Sequence, residues 1–500
     1  MNPEKLKELE AKINVIHKDI ETNLLIVEAF FQDSELVSKR ITNAAKKKVL
    51  YGLVYLDNSV DNALINRDVL KLIRDHVTKN SPRSQVIAEL EDSIANISQV
   101  YSLDEAMDFL VQGFVIFFAE GIDNAWVMEL RGFPRRAIKE PETEVQARGP
   151  KVGFTEIVGE NMALLRRIIK SSELKYKTFI IGTKSKTIVV LAYVETLLKD
   201  DVLQEIEKRL NSIKTDAIIG SGQLVELITD HPGSPFHQIL RSERPDRIAA
   251  DLLEGKAAIF VDGNPDALIL PATMPMFFTT LDEYNTTWLF GSILRLIRWG
   301  SFVIAAFLPG FYIAVVSVNH EVLPIEFLII ISESRTKVPF PPILEALLME
   351  VTIEILREAG IRLPGALGQT IGIVGAIVIG DAAIRAGLAS NIMVIVVAVT
   401  TIATFVLPVF EMQLSLRFIR FPLMVLASMF GLVGLFFGIS ILIAHLSAME
   451  TVGKPYLSPI APFRTTEMQD TFVRLPFFSI TKRPSSAKDI KRQVSNRRKK

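Results

Sequence analysis

The sequence predicts a cytoplasmic α/β region of two similar small subdomains, followed by an all-α multi-span membrane domain. Three observations lead there. The 500 residues exceed what one ordinary core accommodates. Mean hydropathy is +0.31, and the long apolar runs gather in 289–446 while 1–285 reads as ordinary globular sequence. Two stretches in the first half also repeat one pattern. The expected divisions are 1–135, a helical and α/β subdomain; 136–285, a second α/β subdomain; 286–465, a helical membrane domain of four to six segments; and 466–500, a basic cytoplasmic tail.

The chain opens "MNPEKLKELEAKINVIHKDIE", charged and helical without an apolar core. It is not a secretory signal, so the first half is expected in the cytoplasm. Leu6, Leu9, Ile13, Ile16 and Ile20 form a short heptad-like seam. It packs on its own domain or, as the second reading, serves self-association.

The repeat comes next. "DEAMDFLVQGFVIFFAEGIDNAWVMEL" from Asp104 aligns without a gap on "DRIAADLLEGKAAIFVDGNPDALILPA" from Asp246. Gly113 falls on Gly255 and Gly121 on Gly263, both 142 residues apart (255 − 113; 263 − 121). Each reads as an amphipathic helix, a Gly stop, a strand, an acidic-Gly turn and a second strand. Strand-like runs precede them at 48–57 and 187–197, and "RRAIKEPETEVQARGP" joins the halves.

Several chemistries are excluded or unsupported. Lys+Arg 56 balances Asp+Glu 56, which gives no argument for nucleic acid, and Cys is 0, which excludes disulfides and thiolate metal sites. "GTKSKT" at 182–187 lacks the spacing of a phosphate loop. His231 and His237 have no acidic ligand at a metal spacing, and no nucleophile elbow is present. The expectation is a protein without enzymatic activity, metal or cofactor.

In the second half, 299–319, 388–410 and 423–445 approach the ~20 apolar residues that span a bilayer. The run 366–384 is weaker, and 323–332 and 342–359 are borderline. The basic tail "TKRPSSAKDIKRQVSNRRKK" favours the cytoplasm. With both termini inside, the count of spans is even: four plus two re-entrant or interfacial helices, or six. Arg417 and Arg420 then lie outside, a mild violation of the charge rule in both arrangements. Gly368/Gly372 and Gly434/Gly438 each make a small-residue helix-packing pair.

The chemistry concentrates in "PFPPILEALLMEVTIEILREAG", 339–360. Pro339, Pro341 and Pro342 start a helix and Pro364 follows it. At ~100° per residue, Glu350, Glu354 and Glu358 share a side with Arg357 beside them, and Glu345 points elsewhere, placed to cap or pair with a neighbouring segment. Facing lipid, these acids would cost several kcal/mol. Three readings stay open: a helix flat at the interface, pairing with Arg357, Arg362 or another span, or the lining of a cation-favouring aqueous path. For a path, Glu350 and Glu354 are the preferred pair, since Arg357 and Arg362 neutralise Glu358.

"VPFPPILEALLMEVTIEILREAGIRLPGALGQTIGIVGAIVIGDAAIRAGLAS", "RPDRIAADLLEGKAAIFVDGNPDALILPAT", "KEPETEVQARGPKVGFTE" and "RFPLMVLA" closely resemble the GerA family, the A subunits of spore germinant receptors. The resemblance covers about 135–465; a stage V sporulation protein AF-type paralogue is the other form it allows. It implies a multi-pass protein of the spore inner membrane, working with a transporter-like B subunit and a lipoprotein C subunit. It also implies a homo-oligomer, a pentamer, conducting monovalent cations when nutrient triggers germination. The alternatives are a non-conducting signalling scaffold in the membrane and a stand-alone secondary transporter. The latter would show broken spans in matching inverted halves, which the sequence lacks.

Overall fold

A computed structural model of the chain describes residues 15–31, 35–42, 49–79, 81–94, 96–130, 141, 144, 149–362, 378–465, 467–480 and 482–488. Leu6, Leu9, Ile13, Pro364, Gly368, Gly372, most of the 135–150 linker and the tail from 489 lie outside the described residues, as does the side chain of Arg362. The chain divides into two compact units. One takes Met1–Thr229, Ile239–Pro271 and Lys482–Arg492; the other takes Asp230–Gln238, Ala272–Thr481 and Gln493–Lys500.

The α/β unit begins with α1 (Ile20–Phe31), β1 (Leu36–Thr42), β2 (Val49–Leu56), α2 (Lys71–Lys79), α3 (Arg83–Ser93), β3 (Ile97–Val100), α4 (Leu103–Val111), β4 (Val115–Ala119) and β5 (Ala125–Met128). The strands form an antiparallel sheet in the order β1-β2-β4-β5-β3. Successive residues of a strand point to opposite faces. Val54 and Leu56 therefore join Leu24, Val27 and Leu110 in one core, while Leu53 and Tyr55 join Ile73, Val86 and Leu90 in the other. Burial on both faces explains why "VLYGLVYL" is apolar throughout instead of alternating.

The second half repeats this plan. It contains α5 (Val158–Ile168), β6 (Leu174–Ile181), β7 (Thr187–Val194), α6 (Asp200–Ser212), α7 (Ser221–Ile228), β8 (Leu240–Ser242), α8 (Pro245–Leu253), β9 (Ala257–Val261) and β10 (Ala267–Leu270). The sheet order is β6-β7-β9-β10-β8, again antiparallel. The spacing of 142 holds residue for residue: α4 maps onto α8, β4 onto β9 and β5 onto β10 (245 − 103; 257 − 115; 267 − 125). Gly113 and Gly255 leave their helices at φ 85° and 77°, a left-handed conformation that a Cβ disfavours.

A buried ion pair ties the repeats. Arg166 of α5 donates to Glu35 at 3.0 Å, both side chains fully buried. Lys175 donates to the Phe30 and Phe31 carbonyls at the C-terminus of α1, where cations are favoured. The segment expected as a basic tail splits. Residues 467–480 belong to the helical unit, whereas 482–488 return to the α/β unit. There Ala487 bridges to Leu198 and Lys488 donates its backbone N–H to Leu197.

The helical unit contains α9 (Trp288–Ser317), α10 (Ile325–Arg335), α11 (Pro342–Arg362), a helical stretch at 378–385, α12 (Asn391–Phe405) and α13 (Phe410–Ala448). Two of these, α9 and α13, are long and apolar enough to cross a membrane, and α12 is shorter. The 39 residues of α13 would run about 58 Å if straight. They do not. Gly431 sits at φ 62°, ψ −142°, outside helical space. A Cβ on Gly438 would come within 2.5 Å of Leu423, and one on Gly434 would collide with the Leu426 carbonyl. The helix folds back as a hairpin of two arms, 410–430 and 432–448. The pair Gly434/Gly438 is its close-packing face. At its open end Ser415 Oγ reaches the Pro235 carbonyl at 2.7 Å and His445 Nε2 reaches Ser234 Oγ at 2.9 Å, so neighbouring residues hold both arms.

This corrects the expectation of 423–445 as one span, since the chain reverses at Gly431 within it. Arg417 and Arg420 are helical residues of the first arm, 9% and 3% exposed. Side-chain contacts set the directions of the other helices. Arg420 Nε donates to the Ala305 carbonyl at 2.9 Å and Asn319 Oδ1 accepts from the Leu432 N–H at 2.8 Å, so α9 runs parallel to the first arm. The helix α11 runs against that arm and alongside α12. Trp288 and Ala448 consequently lie at the same end of the bundle.

Candidate functional site

The charges of α11 meet a second set on neighbouring helices, in three levels. Pro342 occupies the first position of the helix, where its missing N–H is no loss, and the Pro341 carbonyl accepts from Leu344 and Glu345. Pro339 lies just upstream. Glu345, fully buried, accepts from the Ser390 backbone N–H at 2.6 Å and its hydroxyl at 2.5 Å. Ser390 in turn caps α12 by accepting from the Met393 N–H. Arg335 Nε stands 3.8 Å from Glu345 Oε2.

One and a half turns on, Glu350 pairs with Arg420 at 2.7 Å, their side chains 6% and 3% exposed. Arg420 uses its fork fully: Nε on the Ala305 carbonyl and Nη2 on Thr404 Oγ1, both at 2.9 Å. The Thr404 hydroxyl in turn donates to the Thr400 carbonyl.

At the third level Arg417 Nη1 donates to Glu354, and Arg357 Nη1 lies 3.8 Å from the same carboxylate. Arg357 rests over the Phe405 ring at 4.8 Å and Arg417 near the Phe410 ring at 5.8 Å. The Glu354 side chain is 45% exposed, and Glu358 is exposed. Four guanidiniums thus face three carboxylates on three helices, α10, α11 and α13.

A second ionic knot holds the start of α9. Glu283 accepts from Arg295 at 2.8 and 2.5 Å and from Arg298, while Arg295 also reaches Asp470. The Glu283 backbone carbonyl accepts from Arg474. Tyr284 donates to Asp470 at 2.6 Å. The knot fixes 467–475 to α9.

Sequence reasoning placed the acids on one helix but missed their partners. Arg335, Ser390, Thr404, Arg417 and Arg420 are the additions. The spacing of Arg417 and Arg420, three residues apart, was the available signal: on a helix they share a face, as do Glu350 and Glu354.

The family model described as "Bacillus/Clostridium GerA spore germination protein" matches residues 25–486. The chain is 39% identical over 434 residues to "Uncharacterized membrane protein YfkQ" of Bacillus subtilis (strain 168), covering 87% of this chain and 85% of that protein. It is 37% identical over 454 residues to spore germination protein KA of the same organism, covering 91% and 84%. It is 34% identical over 481 residues to spore germination protein GerLA of Bacillus cereus, covering 96% of each. Among solved structures, the N-terminal domain of the A subunit of the Bacillus megaterium spore germinant receptor GerK3 is similar at 29% identity and a TM-score of 0.41, over 52% of this chain and 98% of that one. With the family match running over 462 of the 500 residues (486 − 25 + 1), the chain belongs to the GerA family of Bacillus/Clostridium spore germination proteins.

Proposed function

We propose that the chain is the A subunit of a nutrient-responsive spore germinant receptor, and that copies of its helical unit form a gated membrane path for monovalent cations. The observation that carries this reading is the charge ladder of α11. Ionisable groups within apolar helices are costly and mark ion pathways. Here Glu345, Glu350, Glu354 and Glu358 lie along one helix of the bundle, and Glu350 and Glu354 are paired with arginines of the adjacent arm. In this conformation Glu350 is closed off against Arg420, and Glu354 is the arm-paired acid that stays open to the surroundings. Repeated around an oligomer, Glu354 becomes a ring of carboxylates that concentrates cations. The paired state is the closed one, and opening requires the acids to leave their arginines.

Family membership supports the further parts of the reading: residence in the spore inner membrane, a pentameric ring, and association with a transporter-like B and a lipoprotein C subunit that bring nutrient sensing. An even number of crossings, with both termini cytoplasmic, accords with Trp288 and Ala448 sharing one end of the bundle. No enzymatic step belongs to this function.

The test is conductance of the assembled full-length chain in planar bilayers. Glu354→Gln keeps size and hydrogen bonding but removes the charge, so cation-over-anion selectivity should fall. Unchanged selectivity in an assembled Glu350→Gln/Glu354→Gln protein would refute the assignment of the ladder to the path.

A further inference from the structure

The third level of the ladder lacks an acceptor. Arg357 and Arg417 share one carboxylate, Glu354, so their described contacts set two guanidiniums against one carboxylate. Arg357 Nε and Nη1 and Arg417 Nη2 have no hydrogen-bond partner among the described residues. A guanidinium presents five donors and stays charged, and a charge so enclosed is strongly unfavourable without a counter-group. Residues 363–377 contain no ionisable side chain that could supply it.

Depth within the bundle indicates what can. Trp299 of α9 stacks on Phe278 at 3.9 Å and turns its indole N–H to the Thr471 carbonyl at 3.4 Å. An indole with an apolar body and a polar edge suits the membrane–water boundary. Arg420 is level with Ala305, six residues beyond Trp299. Arg417 precedes Arg420 by three residues on an arm parallel to α9, which places it level with Phe302, about 4.5 Å along the axis from Trp299. The arginines therefore sit at headgroup depth. Glu354, 45% exposed, opens this level outward, and the Arg357 side chain beside it keeps 11% of its surface exposed. Long basic side chains extend to reach such a boundary.

We propose that Arg357 and Arg417 form a binding site for the phosphate of an anionic phospholipid. A phosphate matches the guanidinium fork in charge and geometry, and basic pockets between membrane helices bind such headgroups. The neighbouring Glu354 lowers the net charge of the site to +1, which suits one phosphodiester. This rests on the reading that the helical unit crosses a bilayer, but not on conduction.

The experiment uses the full-length chain reconstituted in vesicles of phosphatidylcholine with or without phosphatidylglycerol, then extracted for native mass spectrometry of retained lipid. The wild type should retain phosphatidylglycerol over phosphatidylcholine by roughly tenfold, the scale of one charge-assisted contact. Arg357→Gln should bring that ratio close to one, and because it gives up the Phe405 ring and Glu354 contacts as well, the lipid ratio is compared only between preparations that stay folded in pure phosphatidylcholine. Arg357→Lys, which keeps the charge, should restore part of the preference. An Arg357→Gln protein with wild-type selectivity overturns the site, as does a wild type with none. If inorganic phosphate alone raises the thermal midpoint of detergent-solubilised wild type but not of Arg357→Gln, the site takes free phosphate and the lipid assignment is wrong. A protein that does not float with vesicles defeats the membrane reading itself, whereas flotation without lipid preference defeats only this site.

Discussion

Removing Arg420 should cost far more than removing both members of its pair. Arg420→Gln takes away the hydrogen bonds to Ala305, Glu350 and Thr404. It also leaves Glu350 buried with one oxygen already lacking a partner. An uncompensated buried charge costs about 3–5 kcal/mol. Glu350→Gln is milder, because Arg420 keeps two neutral oxygen acceptors; losing a hydrogen bond between charged groups costs about 1.5–3 kcal/mol. In the double variant Glu350→Gln/Arg420→Gln no charge is stranded and two amides of similar size can bond each other, so the net cost should be within about 1 kcal/mol. The coupling energy is then at least about 3 kcal/mol. Unfolding of the reconstituted chain by sodium dodecyl sulfate titration, followed by the fluorescence of Trp288 and Trp299, measures all three variants. Additive single effects, or an Arg420→Gln cost below about 1 kcal/mol, would refute the pairing and with it the closed state assigned to the ladder.

The hairpin of α13 predicts that cysteines placed at Ser415 and His445 cross-link under mild oxidation. In a single straight helix these positions would be about 45 Å apart and could not react. In the α/β unit, Glu35→Ala strands the fully buried Arg166 guanidinium and should lower stability by about 3–5 kcal/mol, read as a shift in the urea midpoint; a loss below about 1 kcal/mol would mean that Ser171 and Leu174, whose carbonyls also accept from Arg166, hold it well enough alone.

What the sequence made legible follows from how local each signal is. The repeat was readable because Gly113, Gly121, Gly255 and Gly263 are required by local backbone geometry: all four sit at positive φ. The hairpin of α13 was not. Gly431 stands in an apolar Gly-containing run, and nothing in composition separates a helix that reverses there from one that continues. The setting of Arg417 and Arg420 was not legible either. Two arginines within six residues look like the end of a span when hydropathy is summed along the chain, yet their charges are met by Glu350 and Glu354, about 60–70 residues earlier in sequence. Pairing across helices is a tertiary fact, and the face shared by Glu350 and Glu354 stated only half of it. The 230–238 segment shows the same limit. The expected 136–285 division assigns it to the α/β half, but Phe236 packs against His445 and Tyr456.

The gradient of burial along α11 bears on how such a ladder could open. Glu345 is held by backbone and hydroxyl donors of Ser390, which are fixed by the cap of α12 and cannot move without disturbing that helix. Glu350 depends on one guanidinium that is itself anchored to α9 and α12 through Ala305 and Thr404. Glu354 depends on Arg417, whose other contacts are a carbonyl of its own arm and the Phe410 ring. Exposure rises from level to level, and the Glu354 carboxylate is tied to the first arm alone besides its own helix. A displacement of the first arm relative to α11 would therefore break the Glu354 contact first, the Glu350 pair next and the Glu345 cap last. The first arm is held at its open end by Pro235 through Ser415, only two residues from Arg417. A pull on 230–238 would reach the weakest level of the ladder before the others.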